Sequence, residues 1–272
     1  MPELPEVETA LRGIKPYILN QKITYVIVRR PNLRWPIPAN LAQLLTGQTV
    51  KQLKRRGKYL LLGFDHGTLI LHLGMSGSLS VLPEATPHKK HDHVELHFAN
   101  HKYLRFTDPR RFGAILWTDE KAANHPLISS IGPEPLTNKF DGDYLYSISR
   151  NKKAAIKSFI MDGKIVAGVG NIYATEALFL AGIHPNKSAG DVTLNSYRKL
   201  VDAIKSILKQ AIKQGGTTLK DFVNPSGSPG YFSIQLHVYG RAGKSCPRCK
   251  NKLKSIRLLQ RSTVYCPYCQ KA

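Results

Sequence analysis

The first eight residues, MPELPEVE, place a proline at position 2 among three carboxylates, those of Glu3, Glu6 and Glu8. Removal of the initiator Met1 would leave Pro2 at the chain terminus, with a secondary amine. The ordinary pKa of a terminal amine is about 7.7–8.0, and the positive end of a helix disfavours the protonated form. Pro2 is therefore a candidate nucleophile. The alternative is an acidic helix start with no chemical role, in which proline suits the first turn.

Four cysteines near the C-terminal end form the second group whose spacing indicates chemistry. Cys246 and Cys249 make one C-x2-C pair, and Cys266 and Cys269 make another after sixteen intervening residues. This spacing suits a tetrahedral Zn(II) bound by four thiolates. Four protein ligands leave no open position for water, so we predict one structural zinc ion and neither a catalytic metal nor an organic cofactor. So short a segment, with few large apolar side chains, would hardly fold without the ion.

The charge balance indicates the class of partner. Among 272 residues, 40 Lys and Arg stand against 18 Asp and Glu, which leaves a net charge of +22. Such an excess favours a polyanion, with nucleic acid as the leading candidate. No apolar run approaches the roughly 20 residues needed to span a membrane, and the acidic N-terminus is unlike a secretory signal. Because all four cysteines lie in the last 27 residues, at the spacing of a metal site, a disulfide framework is not indicated, and a reducing cytoplasmic setting is expected.

A helix and then a run of short strands would position the N-terminal residues. The helix is predicted from one apolar stripe, formed by Leu4, Val7, Leu11 and Ile14. Strands are predicted at 22–30, 50–53, 59–64, 68–73, 78–82, 94–98, 103–107 and 114–118. Short strands with glycine-rich turns at this spacing indicate an antiparallel sandwich or barrel. In the first strand, alternation predicts that Ile23, Tyr25 and Ile27 share a face.

Helices dominate after 131–135, a stretch with the composition of a linker. They are predicted near 143–150, 152–161, 170–182 and 193–214. Residues 215–230 are rich in Gly, Ser, Pro and Thr, which predicts a mobile loop.

Several loops carry residues suited to nucleic acid. Residues 54–58 hold four cations around Gly57, typical of phosphate contact or of a solvated turn. Arg110 and Phe112 lie in a Pro- and Gly-bounded loop that suits a wedge, with stacking by the ring and a base-edge hydrogen bond from the guanidinium. Met75 lies between glycines in a similar loop. The alternative is that Phe112 belongs to the core.

Two further signals have structural alternatives. Asn171 opens a predicted helix, whose free N–H groups and amide could hold a phosphate, or Asn171 could be a plain N-cap. His88, His91, His93 and His97 lie close together in the sequence. Period-two spacing favours a half-exposed strand at 93–98 over a metal site. The sequence contains no H-E-x-x-H motif, no Walker loop and no G-x-S-x-G motif. It therefore gives no support for metal-dependent hydrolysis, nucleoside triphosphate binding or serine acyl transfer.

Five segments together resemble a known family along essentially the whole chain. They are MPELPEVE, HLGMSG at 72–77, TDPRRFG at 107–113, AIKSFIMDGKIVAGVGNIYATEALF at 155–179 and QRSTVYCPYCQ at 260–270. The resemblance is to bacterial formamidopyrimidine-DNA glycosylases. It implies an α+β, two-domain fold: a catalytic helix with an antiparallel β-sandwich (1–132), then a helix–two-turn–helix DNA-binding domain (133–236) with a β-hairpin zinc finger (237–272). DNA is expected in the cleft between them.

The resemblance also implies an activity. The family excises oxidised purines, notably 8-oxoguanine opposite cytosine and formamidopyrimidines, and then nicks the abasic strand. Pro2 is implied as the nucleophile, Glu3 as the proton shuttle on the sugar, and Lys58 as a second catalytic group. The implied base pocket consists of Glu6, Ile172, Lys157, Thr218 and Lys220. The implied DNA contacts are His72, Met75, Arg110, Phe112, Asn171, Tyr239 and Arg261.

The expected partner is double-stranded DNA that contains an oxidised purine or an abasic site. We expect a bacterial, cytoplasmic, nucleoid-associated monomer without a membrane partner. Two alternatives stay open: an endonuclease-VIII-like glycosylase for oxidised pyrimidines, and a non-catalytic, zinc-dependent DNA-binding protein. The Pro2–Pro5 start and the pair Arg110 and Phe112 favour the purine enzyme.

Overall fold

The computed structural model describes residues 2–83, 86–215 and 236–271. The chain divides into two units, one comprising residues up to 130 with 214–215, and the other comprising 131–213 and 236–271. The predicted loop at 215–230, with Thr218 and Lys220, lies outside the described residues except for residue 215. Within the described ranges, no helix is long and apolar enough to cross a membrane.

The first unit begins with the predicted helix, α1 (Leu4–Ile18). Glu3 is its N-cap, Pro5 lies in its first turn, and the apolar stripe from Leu4 to Ile14 is buried. These residues bury one face of the helix against the strands, which confirms the predicted helix and its stripe. Each Å² of apolar surface that is buried stabilises the folded chain by roughly 25 cal/mol, so this face anchors the N-terminal residues firmly.

Two four-stranded antiparallel sheets enclose the core of this unit. One has the order β1-β6-β7-β5 and the other has the order β2-β3-β4-β8. The strands are β1 (Ile23–Val28), β2 (Gln52–Arg56), β3 (Tyr59–Phe64), β4 (Gly67–His72), β5 (Ser78–Pro83), β6 (Asp92–Phe98), β7 (Lys102–Thr107) and β8 (Ala114–Thr118). Two short helices accompany them, α2 (Leu41–Leu45) and α3 (Pro126–Ser129). Leucines of β3 and β4 share one buried cluster with apolar residues of β6 and β7, which confirms the predicted antiparallel sandwich.

The predicted face of β1 is wrong after its first residue. The pairing with β6 shifts between Ile23 and Tyr25, so Thr24 is an extra residue in β1. A β-bulge of this kind reverses the inward and outward alternation of the residues that follow it. Val26 and Val28 therefore pack against the core, whereas Tyr25 is exposed.

In its described residues, the second unit contains four α-helices and a two-stranded hairpin. The helices are α4 (Gly142–Ser149), α5 (Ile156–Met161), α6 (Asn171–Ala181) and α7 (Leu194–Lys213), and the strands are β9 (Lys254–Leu258) and β10 (Arg261–Tyr265). α6 is buried along almost its whole length, and it ends at Gly182, whose φ of +71° suits a glycine C-cap. α7 buries one stripe, including Tyr197, Val201, Ile204 and Leu208. This unit thus places the start of α6 beside the hairpin.

Candidate active site and metal centre

The start of α1 holds two carboxylates beside Pro2. Glu3 and Glu6 are 1% and 2% exposed, and Pro2 is buried. The backbone N–H of Glu3 donates to Glu6 Oε2 at 2.9 Å, while the Glu3 side chain accepts from the backbone N–H of Glu6. This reciprocal capping box fixes both carboxylates at the positive end of the helix, where negative charge is stabilised. The arrangement can hold a proton donor or acceptor next to a nucleophile on residue 2.

Lys58 lies in the two-residue turn between β2 and β3, and His72 lies at the end of the neighbouring β4. The imidazole ring of His72 lies 4.7 Å from the ring of Tyr59. Burial, and then the positive charges of Lys58 and Arg34, lower the pKa of His72 to about 4. Since His72 Nδ1 accepts the backbone N–H of Gly74 at 3.0 Å, the neutral ring carries its proton on Nε2. His72 can therefore donate one N–H without adding charge.

Two loops present the residues that suit a wedge. Met75 and Phe112 are 37% and 43% exposed, so the alternative of a core role for Phe112 is wrong. The guanidinium carbon of Arg110 lies 4.8 Å from the centre of the Phe112 ring. Such a cation–π contact orders both side chains on one surface.

Asp108 joins these two loops, which the sequence did not reveal. Its carboxylate is fully buried and accepts from the Ser76 hydroxyl at 2.7 Å and from the Gly113 backbone N–H at 2.8 Å. Gly74 has a φ of +60°, and a Cβ there would lie 2.4 Å from the carbonyl carbon of Phe112. The loop backbones therefore approach so closely that only glycine fits at this position.

At the start of α6, the N-cap is Gly170 and Asn171 is the first helical residue. The reading of Asn171 as a plain N-cap is therefore wrong. The Asn171 Oδ1 atom accepts from Lys157 Nζ at 2.6 Å. The Lys157 ammonium also donates to Thr263 Oγ1 at 2.6 Å, and Lys157 is only 1% exposed. Lys157 thus links Asn171 to β10.

The other predicted residues of the second unit differ in accessibility. Ile172 is buried, Tyr239 is half-buried and Arg261 is exposed. Tyr239 is held through its backbone by Glu176, a residue that sequence reasoning missed. The fully buried carboxylate of Glu176 accepts the backbone N–H groups of residues 237, 238 and 239 at 2.7, 2.8 and 2.7 Å. A single charged residue within the apolar helix segment NIYATEALFLA is a signal that could have identified it.

The expectation of a half-exposed strand at 93–98 is wrong, because every residue of β6 is buried. Its polar face is covered by partners rather than by solvent. Glu95 accepts from Arg29 at 2.9 Å and from Arg105 at 2.8 Å, and His97 stacks on the Tyr25 ring at 4.0 Å. His93 contacts the backbone carbonyl of Asp108 at 2.8 Å. Among the residues that the structure describes, only the four cysteines form a group suited to a metal ion.

The four cysteine sulfurs all lie within 4.8 Å of one another. The Sγ atoms of Cys246 and Cys269 are 3.9 Å apart, and those of Cys249 and Cys266 are 3.4 Å apart. Zn–S bonds of about 2.3 Å in a tetrahedron require sulfur separations of about 3.8 Å, so these thiolates fit one zinc ion. Each C-x2-C turn is closed by a backbone hydrogen bond of 3.0 Å. The N–H of Lys250 donates to the carbonyl of Cys246, and the N–H of Gln270 donates to the carbonyl of Cys266. One structural zinc ion belongs to this segment, the zinc ribbon of residues 237–271.

The fold and these sites are those of a class of DNA glycosylases and AP lyases that combine a β-sandwich with a helix–two-turn–helix unit and a zinc ribbon. Three family models match the chain. They are the formamidopyrimidine-DNA glycosylase N-terminal domain at residues 1–115, the formamidopyrimidine-DNA glycosylase H2TH domain at 131–223, and the zinc finger found in FPG and IleRS at 243–272. The chain belongs to the formamidopyrimidine-DNA glycosylase family.

Individual relatives agree over the full length. The formamidopyrimidine-DNA glycosylase of Marinobacter nauticus is 56% identical over 271 residues, which cover 100% of both chains. Lactococcus lactis Fpg (MutM), solved in complex with DNA containing N7-benzyl-Fapy-dG, has a TM-score of 0.91 at 35% identity and full coverage of both chains. The same Lactococcus lactis protein, in complex with DNA containing an oxidized pyrimidine, has a TM-score of 0.90 at 35% identity, again with full coverage.

Proposed function

We propose that this protein removes oxidised purines from double-stranded DNA, notably 8-oxoguanine opposite cytosine and formamidopyrimidines, and then cleaves the abasic strand. The observation that carries the proposal is the start of α1, where the buried, reciprocally capped Glu3 and Glu6 lie directly beside Pro2. A secondary amine between carboxylates suits attack on the sugar of a damaged nucleotide. Membership of the glycosylase family supports the same reaction.

The reaction begins when the Pro2 nitrogen, freed by removal of Met1, attacks C1′ of an extruded nucleotide. The C1′–N bond breaks and its electron pair leaves with the base, which takes up a proton. The Pro2 nitrogen, now bonded to C1′, loses its proton to Glu3. Glu3 passes this proton to the ring oxygen, the C1′–O bond breaks, and the sugar opens to an iminium at C1′. Because proline is a secondary amine, this iminium is cationic without further protonation. Loss of the 2′ proton expels the 3′ phosphate, and a second elimination expels the 5′ phosphate.

The remaining predicted residues bind the DNA in this proposal. His72, Asn171, Tyr239, Arg261 and Lys58 hold phosphates, with Lys58 also acting as the second catalytic group. Met75, Arg110 and Phe112 fill the space left by the extruded base, a role that the exposure of Met75 and Phe112 supports. Glu6, Ile172, Lys157, Thr218 and Lys220 form the base pocket. For Lys157, the contacts with Asn171 and Thr263 support an indirect role, through the position of Asn171.

We further propose three domains, at 1–132, 133–236 and 237–272, in a monomer that acts at the nucleoid in the bacterial cytoplasm. A reducing compartment keeps the zinc thiolates from oxidation, which supports this location.

Base release and strand cleavage on matched duplexes test the function. The duplexes carry 8-oxoguanine opposite cytosine, 8-oxoguanine opposite adenine, an oxidised pyrimidine opposite its normal partner, or no lesion. We expect the fastest single-turnover excision on 8-oxoguanine opposite cytosine. Faster excision of the oxidised pyrimidine would favour an endonuclease-VIII-like activity, and tight binding without excision of any lesion would favour a non-catalytic DNA-binding protein.

A further inference from the structure

Glu8 forms two ion pairs that differ in their surroundings. Its Oε1 atom accepts from Arg12 Nε at 2.8 Å, and its Oε2 atom accepts from Arg55 Nε at 2.9 Å. The Arg12 side chain is 62% exposed, whereas the Arg55 side chain is 12% exposed. Exposed pairs contribute little, because solvent screens the charges and the two long side chains lose conformational freedom when they pair. The pair with Arg55 is therefore the stronger constraint.

Arg55 reaches from Glu8 to the turn that carries Lys58. Its Nη1 atom donates to the backbone carbonyl of Gly57 at 2.9 Å. That carbonyl belongs to the peptide group that leads into Lys58. Gly57 is buried and has a φ of +56°, a backbone conformation that residues other than glycine rarely adopt. One guanidinium therefore fixes both the orientation of this peptide and its distance from α1.

The charge of Glu8 persists in these surroundings. Burial alone would raise the pKa of Glu8, but hydrogen bonds from Arg55 and Arg12 outweigh it and lower the pKa below its ordinary value of 4.5. Glu8 thus remains a carboxylate at neutral pH, and both ends of the bridge stay charged.

We infer that Glu8 and Arg55 are positioning residues that hold the Lys58 turn in register with α1, the helix that begins beside Pro2. The inference rests on the proposed function only through the role of Lys58. Glu8 lies on α1, fewer than two helical turns after Pro2. The contacts Glu8–Arg55 and Arg55–Gly57 therefore link the two proposed catalytic groups of the first unit, Pro2 and Lys58. Small displacements of catalytic groups slow a reaction by up to about a hundredfold.

The first test compares Glu8→Gln and Arg55→Gln with the control Arg12→Gln, which removes only the exposed pair. We expect single-turnover excision to slow about tenfold in the first two variants, with the dissociation constant for lesion DNA changed less than about twofold. Arg12→Gln should match the wild type. Equal effects from Arg12→Gln and Arg55→Gln, or a loss of DNA binding without a loss of rate, would overturn the inference.

Two further variants separate positioning from folding. Arg55→Lys keeps the charge beside Glu8 but lacks the planar fork that reaches both acceptors. We expect it to restore the melting temperature and not the excision rate. In a Lys58→Ala background, Arg55→Gln should produce no additional slowing, because its effect acts through Lys58. Full recovery of the rate in Arg55→Lys, or additive losses in the double variant, would contradict the positioning role.

These outcomes are distinguishable from failure of the proposed function. If the wild type itself excises no lesion and forms no covalent intermediate with DNA, the proposed function fails before any variant is compared. If the wild type is active and Lys58→Ala and Arg55→Gln slow the reaction additively, only the positioning inference fails.

Discussion

The zinc ribbon and the N-terminal site hold their functional side chains by opposite means. In the ribbon, four thiolates organise a short segment around a small cluster of Phe179, Val238, Leu253 and Val264. In the first unit, Glu3 and Glu6 lie on a helix that packs against a core shared by two sheets. The ribbon thus depends on one ion, and the N-terminal site depends on a large apolar core. Each can therefore be disrupted while the other stays folded.

Removal of zinc should produce the largest effect. Since the ribbon has little apolar core of its own, we expect chelation to unfold 237–271 and to abolish DNA binding, while 2–130 stay folded. Hydrogen exchange measured peptide by peptide, together with binding to labelled lesion DNA, checks both halves of this expectation. Loss of protection in the sandwich would show that the two regions do not fold independently. Undiminished DNA binding would show that the folded zinc ribbon is not needed to bind DNA.

Glu3→Gln should affect the N-terminal site alone. We expect excision to slow by about 10²–10⁴-fold, because an amide cannot transfer the proton. The amide oxygen can still accept the Glu6 backbone N–H, so the melting temperature should stay close to that of the wild type. Single-turnover excision and thermal melting measure the two properties, with the exposed Glu120→Gln as the matched control. A large fall in melting temperature would mean that Glu3 has chiefly a structural role.

Thr263→Val should weaken the link between the ribbon and α6. The buried Lys157 ammonium would lose one of its acceptors, Thr263 Oγ1 at 2.6 Å, so we expect a loss of about 1–3 kcal/mol in the free energy of unfolding. Thr137→Val, which removes a hydroxyl at an exposed turn of the same unit, is the control. Chemical denaturation of both variants measures the difference in the free energy of unfolding. Equal stability of the two would show that the Lys157–Thr263 hydrogen bond does not stabilise the unit.

The pH dependence of stability should change by a smaller amount through His72. Its folded-state pKa of about 4 lies below the ordinary value of 6.5, so the unfolded chain binds a proton first as the pH falls. Stability that His72 contributes is therefore present above pH 6.5 and is lost between about pH 6.5 and about pH 4. His72→Asn keeps an acceptor for the Gly74 N–H and removes this titration. Melting curves of both proteins should converge on acidification, and parallel pH profiles would contradict the assignment.

The same two regions differ in how far sequence reasoning reached. The metal ligands follow from local spacing, because two C-x2-C pairs determine which atoms meet at the ion. The buried stripe of α1 also follows from local periodicity. By contrast, the contacts Ser76–Asp108, Arg55–Glu8 and Tyr239–Glu176 join residues that are 32, 47 and 63 positions apart. No local pattern encodes such partners.

The errors have identifiable physical causes. The face of β1 was wrong because one extra residue, Thr24, reverses the alternation. The exposure of β6 was wrong because Glu95 is paired with Arg29 and Arg105, and paired charges can be buried. Asn171 follows the N-cap rather than forming it, since Gly170 occupies that position.

Borohydride trapping tests the central claim most directly. The mature protein is incubated with a duplex that contains one 8-oxoguanine opposite cytosine, in the presence of borohydride, and the N-terminal mass is measured first. Reduction of the iminium should give a stable protein–DNA adduct that maps to Pro2, and the Pro2→Gly variant should form markedly less of it. An adduct on another residue, or active protein that retains Met1, would contradict the account.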